Sequence, residues 1–199
     1  MIAPVGEASW GEDARLDASL ESAAAWPGFA AELEEATGAA VPYRHVGSLH
    51  VALDRDETAE LRRLHELHRR LGLKASWLRG TECRRREPGL ATSVAGGVEI
   101  PGEAEVDPRA LLAALRSALA AAGGQVRDEA VASVEVEDGA VRAVRLAGGE
   151  PLAAERVLIA AGARSGELLP DVAGELPPVR PVKGEILRLR ARPGEMPCE

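Results

Sequence analysis

Aromatic side chains are nearly missing from this chain of 199 residues: three tryptophans, one tyrosine and one phenylalanine make up 3% of it. A core built without them needs many Leu, Val and Ala side chains, each burying less surface than a ring does. Cysteine is scarce too. Cys83 and Cys198 are too few for a disulfide framework or a zinc site, which fits a reducing compartment. No apolar run reaches the roughly 18 residues a membrane-spanning helix needs, and the first residues carry no basic-then-apolar leader pattern. Positive charge is in deficit, with 24 Lys and Arg against 32 Asp and Glu and a formal net charge of -8, so no electrostatic footprint for a nucleic-acid backbone exists. These absences predict a soluble, cytoplasmic, acidic protein of ordinary globular composition, with no nucleic-acid or membrane partner.

Catalytic signatures are missing as well. The chain contains no G-x-G-x-x-G turn, Walker A loop, G-x-S-x-G elbow or H-E-x-x-H helix. A complete dinucleotide-binding fingerprint within these residues is therefore excluded.

What is present reads as alternating helices and strands. Met1 to Glu12, with Pro4, Gly6 and Gly11, is irregular. An Ala-rich helix is predicted from Leu16 to Ala25; Pro27 breaks it and opens a second helix that runs to Gly38, with Phe29, Leu33 and Ala36 at helical spacing. Tyr43 to Leu53 switches to a period of two, with Leu49, Val51 and Leu53 on one face. Asp54 caps a helix whose stripe is Leu61, Leu64, Leu67 and Leu71 and which Gly72 ends. Thr81 to Pro88 is a short polar helix or turn with Thr81 as its N-cap, and Gly96 to Pro101 is a brief strand.

Asp107-Pro108 is the clearest helix start, an acidic cap followed by proline, with Leu111, Leu112, Leu115 and Leu119 as the buried stripe and Gly123-Gly124 as the end. Gln125-Val126 enters a strand. Val131–Val136 and Ala140–Leu146 alternate around Asp138-Gly139, the strongest short-range hairpin signal. The run Val157-Leu158-Ile159-Ala160-Ala161 suits a strand buried on both faces of a parallel sheet, followed at Gly162 by a helical turn to Leu169. Pro170, Pro177, Pro178 and Pro181 punctuate a crossing segment before a strand from Gly184 to Leu189. The strand at Val157 wants parallel neighbours that the order of elements does not supply.

Few side chains suggest chemistry of their own. His65 and His68 sit three apart on a helix, but no further ligands fall at metal spacing, so exposed helix histidines are expected. His45 and His50 bracket the strand. Arg84-Arg85-Arg86 is flanked by Glu82 and Glu87 and reads as a solvated, locally paired face, with Cys83 an ordinary thiol beside it. Ala160-Ala161-Gly162-Ala163 is more informative, since small residues at the carboxyl end of a strand let a ligand approach the backbone; tight strand-to-helix packing is the competing explanation.

Several stretches, in order, resemble the glycine oxidases of the D-amino-acid oxidase superfamily. They are Met1-Ile2-Ala3-Pro4, Thr37-Gly38 with Tyr43-Arg44 and Gly47-Ser48-Leu49, Glu87-Pro88-Gly89-Leu90, Val106-Asp107-Pro108-Arg109 with Leu111, Arg156–Ala163, and Pro178-Val179-Arg180-Pro181-Val182-Lys183-Gly184-Glu185. The resemblance spans nearly the whole chain. It implies a mixed α/β (α+β) fold in which an incomplete, Rossmann-like FAD-binding domain is interleaved with part of a substrate domain. Residues 1–42 and 106–172 would belong to the FAD side, and residues 43–105 and 173–199 to the substrate side.

The resemblance also implies an FAD-dependent amine oxidase acting on glycine, with imine and peroxide as products and thiamine thiazole synthesis as the destination. A sarcosine or D-amino-acid oxidase or dehydrogenase, or a cofactor-free partner or regulatory module, is the alternative. Met1, Ile2 and Ala3 match the segment that lies against the flavin ring and lines the substrate pocket, Val131 the residue meeting the adenine end, and Ala160, Ala161 and Gly162 the stretch near the pyrophosphate. Arg164 departs from the tryptophan common after the Ala-Gly-Ala run. The chain looks like the middle of such an enzyme, so weak or no FAD binding and no oxidase activity are expected of it in isolation. The small amine or amino-acid substrate and a homo-oligomeric assembly follow from the family alone.

Overall fold

The computed structural model describes residues 1–168 and 179–185. The chain divides into one unit of Met1–Gln125 and a second that begins at Val126. In the first, Gly38 takes the left-handed backbone at φ 67 and stops a helix that has begun at Asp13 (α1, Asp13–Thr37). The two helices expected on either side of Pro27 are one. An internal proline removes a backbone donor and costs about 3 kcal/mol. Here Trp26 stacks on Tyr43 and meets Phe29 edge-on, while Ala30 and Leu33 are buried one and two turns later, so packing on both sides of the proline outweighs that cost. The buried face is Ala30 and Leu33; Phe29 and Ala36 are exposed.

Gly47, at φ 68, divides the long strand expected from Tyr43 into β1 (Tyr43–His45) and β2 (Ser48–Ala52). The expected alternation is not seen in β2: Ser48 to Val51 are all half-buried, Ala52 is fully buried and Leu53, beyond the strand, is exposed. Asp54 accepts hydrogen bonds from the backbone N–H groups of Asp56 and Glu57 and starts α2 (Arg55–Arg70). Leu61 of α2 packs with Ala52 over the next strands, β3 (Ser76–Arg79) and β4 (Gly96–Ile100), against Val98 and Ile100. The sheet order is β2-β4-β3, antiparallel throughout. Between β3 and β4 lies α3 (Gly80–Arg86), whose cap is Arg79 rather than Thr81, because the Glu82 carboxylate accepts from the Arg79 N–H at 2.7 Å.

β5 (Ala104–Val106) pairs antiparallel with β1 and leads into α4 (Pro108–Ala121), capped by Asp107 on the N–H groups of Arg109 and Ala110. The buried face of α4 differs from the expected stripe. Ala114 is fully buried against Ala30, Leu33 and Val41, with Leu111 and Ala118 beside it, whereas Leu112, Leu115 and Leu119 are exposed. Close approach of α1 and α4 selects the alanine face, and the leucine face carries no such layer among the described residues of this unit.

In the second unit β6 (Val131–Glu137) and β7 (Ala140–Leu146) form the expected hairpin, with Asp138 and Gly139 both at positive φ, as the primed turn requires. β8 (Pro151–Ala153) adds a third antiparallel strand. No strand forms at Gln125-Val126 or at Val157–Ala161, and Leu158 is 92% exposed. An apolar run becomes a strand only when neighbours take up its backbone hydrogen bonds, and among the described residues none pairs with it. A 3-10 turn at Gly162–Leu168 follows. The expected strand Gly184–Leu189 and Pro170, Pro177 and Pro178 lie wholly or partly outside the described residues.

Candidate functional site

In the first unit, the N-terminal segment is anchored by a backbone bridge. Ile2 donates to the Ala104 carbonyl at 2.7 Å and accepts from the Ala104 N–H at 3.0 Å. That bridge leaves Met1 exposed, Ile2 half-buried and Ala3 buried. All three line a cleft of about 530 Å³ whose other wall is α1, with Arg15, Ser19 and Trp26 facing it. Arg15 is itself held, by Glu12 at 2.9 Å and by the Glu7 carbonyl.

Behind this segment lie two buried polar side chains. His68 is 0% exposed and Glu103 is 1% exposed. The His68 Nε2 lies 2.9 Å from the Val5 carbonyl, which can only accept, so this nitrogen carries the proton. The Glu103 carboxylate accepts from the Gly6 N–H at 2.6 Å. Among the described residues, His68 Nδ1 and Glu103 Oε2 have no hydrogen-bond partner. Burial pushes the His68 imidazole below its ordinary value, opposed by the Val5 hydrogen bond, with His65 and His50 adding to the lowering and Glu103 opposing it.

His68 thus corrects the expectation of exposed helix histidines. The signal was available: His68 lies seven residues after Leu61 and four after Leu64, on the apolar face of α2. His65 is half-buried near the Trp77 ring. Of the strand histidines, His45 is exposed beside the Tyr43 hydroxyl, whereas His50 lines a groove with Trp10 and Leu64.

In the second unit, Val131, Ala160 and Ala161 line one cleft of about 470 Å³, together with Val144, Leu158 and Arg164. Gly162 follows Ala161 directly and has φ 57, a backbone that favours glycine. The residues expected at the cofactor thus come together in two groups, Met1, Ile2 and Ala3 in one unit and Val131, Ala160, Ala161 and Gly162 in the other. Taken by itself, each cleft offers small and apolar side chains against which an aromatic ring could lie, and the second adds the Arg164 cation.

The arginine run is held as expected, by partners only partly foreseen. Arg85 pairs with Glu82, Arg86 pairs with Glu99 of β4 at 3.0 Å, and Arg84 donates to the carbonyls of Thr92 and Val94. Glu87 accepts from the Gly89 N–H instead. Cys83 is fully buried, and burial raises its thiol above the ordinary range. Among the described residues no cluster of His, Cys, Asp or Glu could hold a metal ion, and no helix is long and apolar enough to cross a membrane.

The profile of the FAD dependent oxidoreductase family matches residues 3–199. The chain belongs to this family. FAD is the cofactor of its members. A glycine oxidase from Geobacillus kaustophilus is 34% identical over 174 residues, 87% of this chain and 46% of that enzyme. The bifunctional protein ThiO/ThiG of Synechocystis is 30% identical over 90% of this chain and 25% of its own length. The crystal structure of the Geobacillus kaustophilus glycine oxidase superposes with a TM-score of 0.79 at 31% identity, covering 86% of this chain and 46% of that one. The chain therefore spans about half of the glycine oxidase it matches. The mixed helix-and-strand architecture agrees with the fold class expected from the sequence.

Proposed function

We propose that this chain contributes to an FAD-dependent amine oxidase that acts on glycine. In that reaction, glycine loses two electrons and two protons to give the imine; dioxygen accepts them as hydrogen peroxide; water then hydrolyses the imine to glyoxylate and ammonia. FAD, when bound, supplies the hydride acceptor and the route of electrons to dioxygen. The observation that carries the reading is the likeness to a glycine oxidase in sequence over 87% of the chain and in fold over 86% of it.

The residues of this chain hold and orient. Met1, Ile2 and Ala3 would face the flavin ring, with Ile2 fixed on Ala104 and Ala3 buried so that the segment presents one surface. Val131 would meet the adenine end, and Ala160, Ala161 and Gly162, without bulky side chains, would admit the pyrophosphate stretch close to the backbone. The interleaved layout, with residues 1–42 and 106–172 on the cofactor side and 43–105 and 173–199 on the substrate side, belongs to the same proposal, as do a small amine or amino-acid substrate and a homo-oligomer.

Two measurements test it. The purified chain is incubated with FAD, desalted and examined for a retained flavin band; with no G-x-G-x-x-G turn to supply phosphate donors, little or none is expected. The chain is then built into the Geobacillus kaustophilus glycine oxidase in place of the segment it matches. Flavin retention with peroxide released on glycine supports the reading. Turnover of sarcosine or a D-amino acid in preference to glycine replaces the substrate, and a folded chimera that holds no FAD favours the cofactor-free module.

A further inference from the structure

Four contacts fasten Ile2, Val5 and Gly6: two from the Ala104 backbone, one from Glu103 and one from His68. Ala104 holds Ile2 by a two-way backbone bridge, and the side chain of the preceding Glu103 takes the Gly6 N–H at 2.6 Å. From the opposite element, His68 of α2 donates to the Val5 carbonyl at 2.9 Å. The Glu103 carbonyl in turn accepts from Val46 and Gly47, which ties Glu103 to the turn between β1 and β2. Both side chains are buried, and each keeps a polar atom without a partner among the described residues.

Burying a polar side chain costs free energy unless its hydrogen bonds are made. A core designed only for stability would place apolar residues at 68 and 103. Each buried group instead spends its one bond on the same peptide, Val5-Gly6, from its two sides: one on the carbonyl, the other on the next N–H. Gly6 leaves room for this, since a Cβ there would lie 2.8 Å from both Glu103 Oε1 and His50 Nε2.

Resting on the reading of Met1–Ala3 as the flavin-facing segment, we propose that His68 and Glu103 are positioning residues, a buried two-sided clamp on Val5-Gly6 that sets Met1, Ile2 and Ala3 in their cleft. They touch neither flavin nor substrate in this proposal. They act through the backbone of the segment that does. The clamp places a determinant of the cofactor side on α2 and at the start of β5, inside the stretch assigned to the substrate side.

Amide hydrogen exchange on the full 199-residue chain tests the clamp. His68→Leu and Glu103→Leu remove the bonds, whereas His68→Gln keeps a donor where Nε2 lies and Glu103→Gln keeps an acceptor. Loss of one such bond is expected to speed exchange at Gly6, Ala8 and Ala104 by about tenfold. The amides of β4 keep their wild-type rates, and the Gln variants recover most of the protection. Unchanged exchange at Gly6 and Ala104 in the Leu variants overturns the proposal, as does an equal acceleration throughout β4 and α2 in Leu and Gln variants alike.

Should the Leu variants not fold, the imidazole ¹H–¹⁵N spectrum of the unsubstituted chain decides. His68 with its proton on Nε2 and a Gly6 amide that responds to Glu103→Gln support the clamp; a proton on Nδ1 overturns it. Flavin retention by the chimera carrying the Leu substitutions separates this proposal from the one beneath it. Local loosening without loss of flavin leaves the clamp standing and removes the flavin assignment of Met1–Ala3.

Discussion

The indole of Trp26 lies parallel to the phenol ring of Tyr43, 3° between planes and 6.2 Å between centroids, one residue before the proline inside α1. This contact joins the helix to β1 where the backbone ladder is weakest. Trp26→Ala is expected to lower stability by about 1–3 kcal/mol, because a half-buried ring and its aromatic pairing are lost together. Pro27→Ala should act in the opposite direction, gaining up to about 3 kcal/mol as the missing N–H returns. Urea denaturation of the two variants checks both signs.

Gly80 opens α3 under the loop that returns to β4. A Cβ on it would sit 2.0 Å from the Val94 carbonyl oxygen, an overlap that only a backbone shift relieves. Gly80→Ala is therefore expected to cost roughly 1–3 kcal/mol or more. A glycine change with open space around it, such as Gly102→Ala, serves as the control in the same melts.

The Cys83 thiol is buried beneath β3 and β4 and held toward its protonated form. It should resist alkylation and disulfide exchange in the folded chain and react once denaturant opens the unit, because the thiolate is the reactive species. Peptide mapping after brief treatment with a thiol reagent reads this directly. Labelling of Cys83 at the rate of a free thiol under native conditions would contradict its burial.

His68 gives the fold a pH dependence with a definite sign. Its folded value is depressed, chiefly by burial, below the ordinary 6.5. The unfolded chain therefore binds a proton that the folded one refuses between these two values, so stability from this group is fully present above pH 6.5 and declines as the pH falls toward the lower folded value. Urea midpoints measured from about pH 7.5 down to about pH 5 should fall for the wild-type chain, with a shallower fall for His68→Gln, which has nothing to protonate there.

Local chemistry was the readable part of this sequence. Asp54 and Asp107 cap helices, Gly38 and Gly72 end them, and Asp138-Gly139 turns a hairpin, because each of these depends on residues within a few positions. Partners decide the rest. Leu112 and Ala114 differ in hydrophobicity in the wrong direction to reveal which faces α1; closeness of approach chose the alanine. Val157–Ala161 has the composition of a buried strand, yet strand formation is a property of neighbours. At the candidate site, Val131, Ala160 and Ala161 share a cleft; small residues after an apolar run marked Ala160 and Ala161, while Val131, some thirty positions away, was reached through the resemblance alone. Glu103 and His68 escaped because ionisable residues read as surface, and their burial depends on a peptide far away in sequence.

That distance has a kinetic meaning. Gly6 and Glu103 are 97 residues apart, and the entropy lost in closing so long a loop must be met before the hydrogen bond returns anything. Neither side chain can receive the Val5-Gly6 peptide until α2 lies on its sheet and the β4–β5 connection is formed. The segment proposed to meet the flavin is thus expected to lock last, and pulse-labelled exchange during refolding would find Gly6 protected after Val98. On the proposed reading of Met1–Ala3, a cleft that closes at that stage is expected to offer no surface to a ligand until the core around Val98 has consolidated.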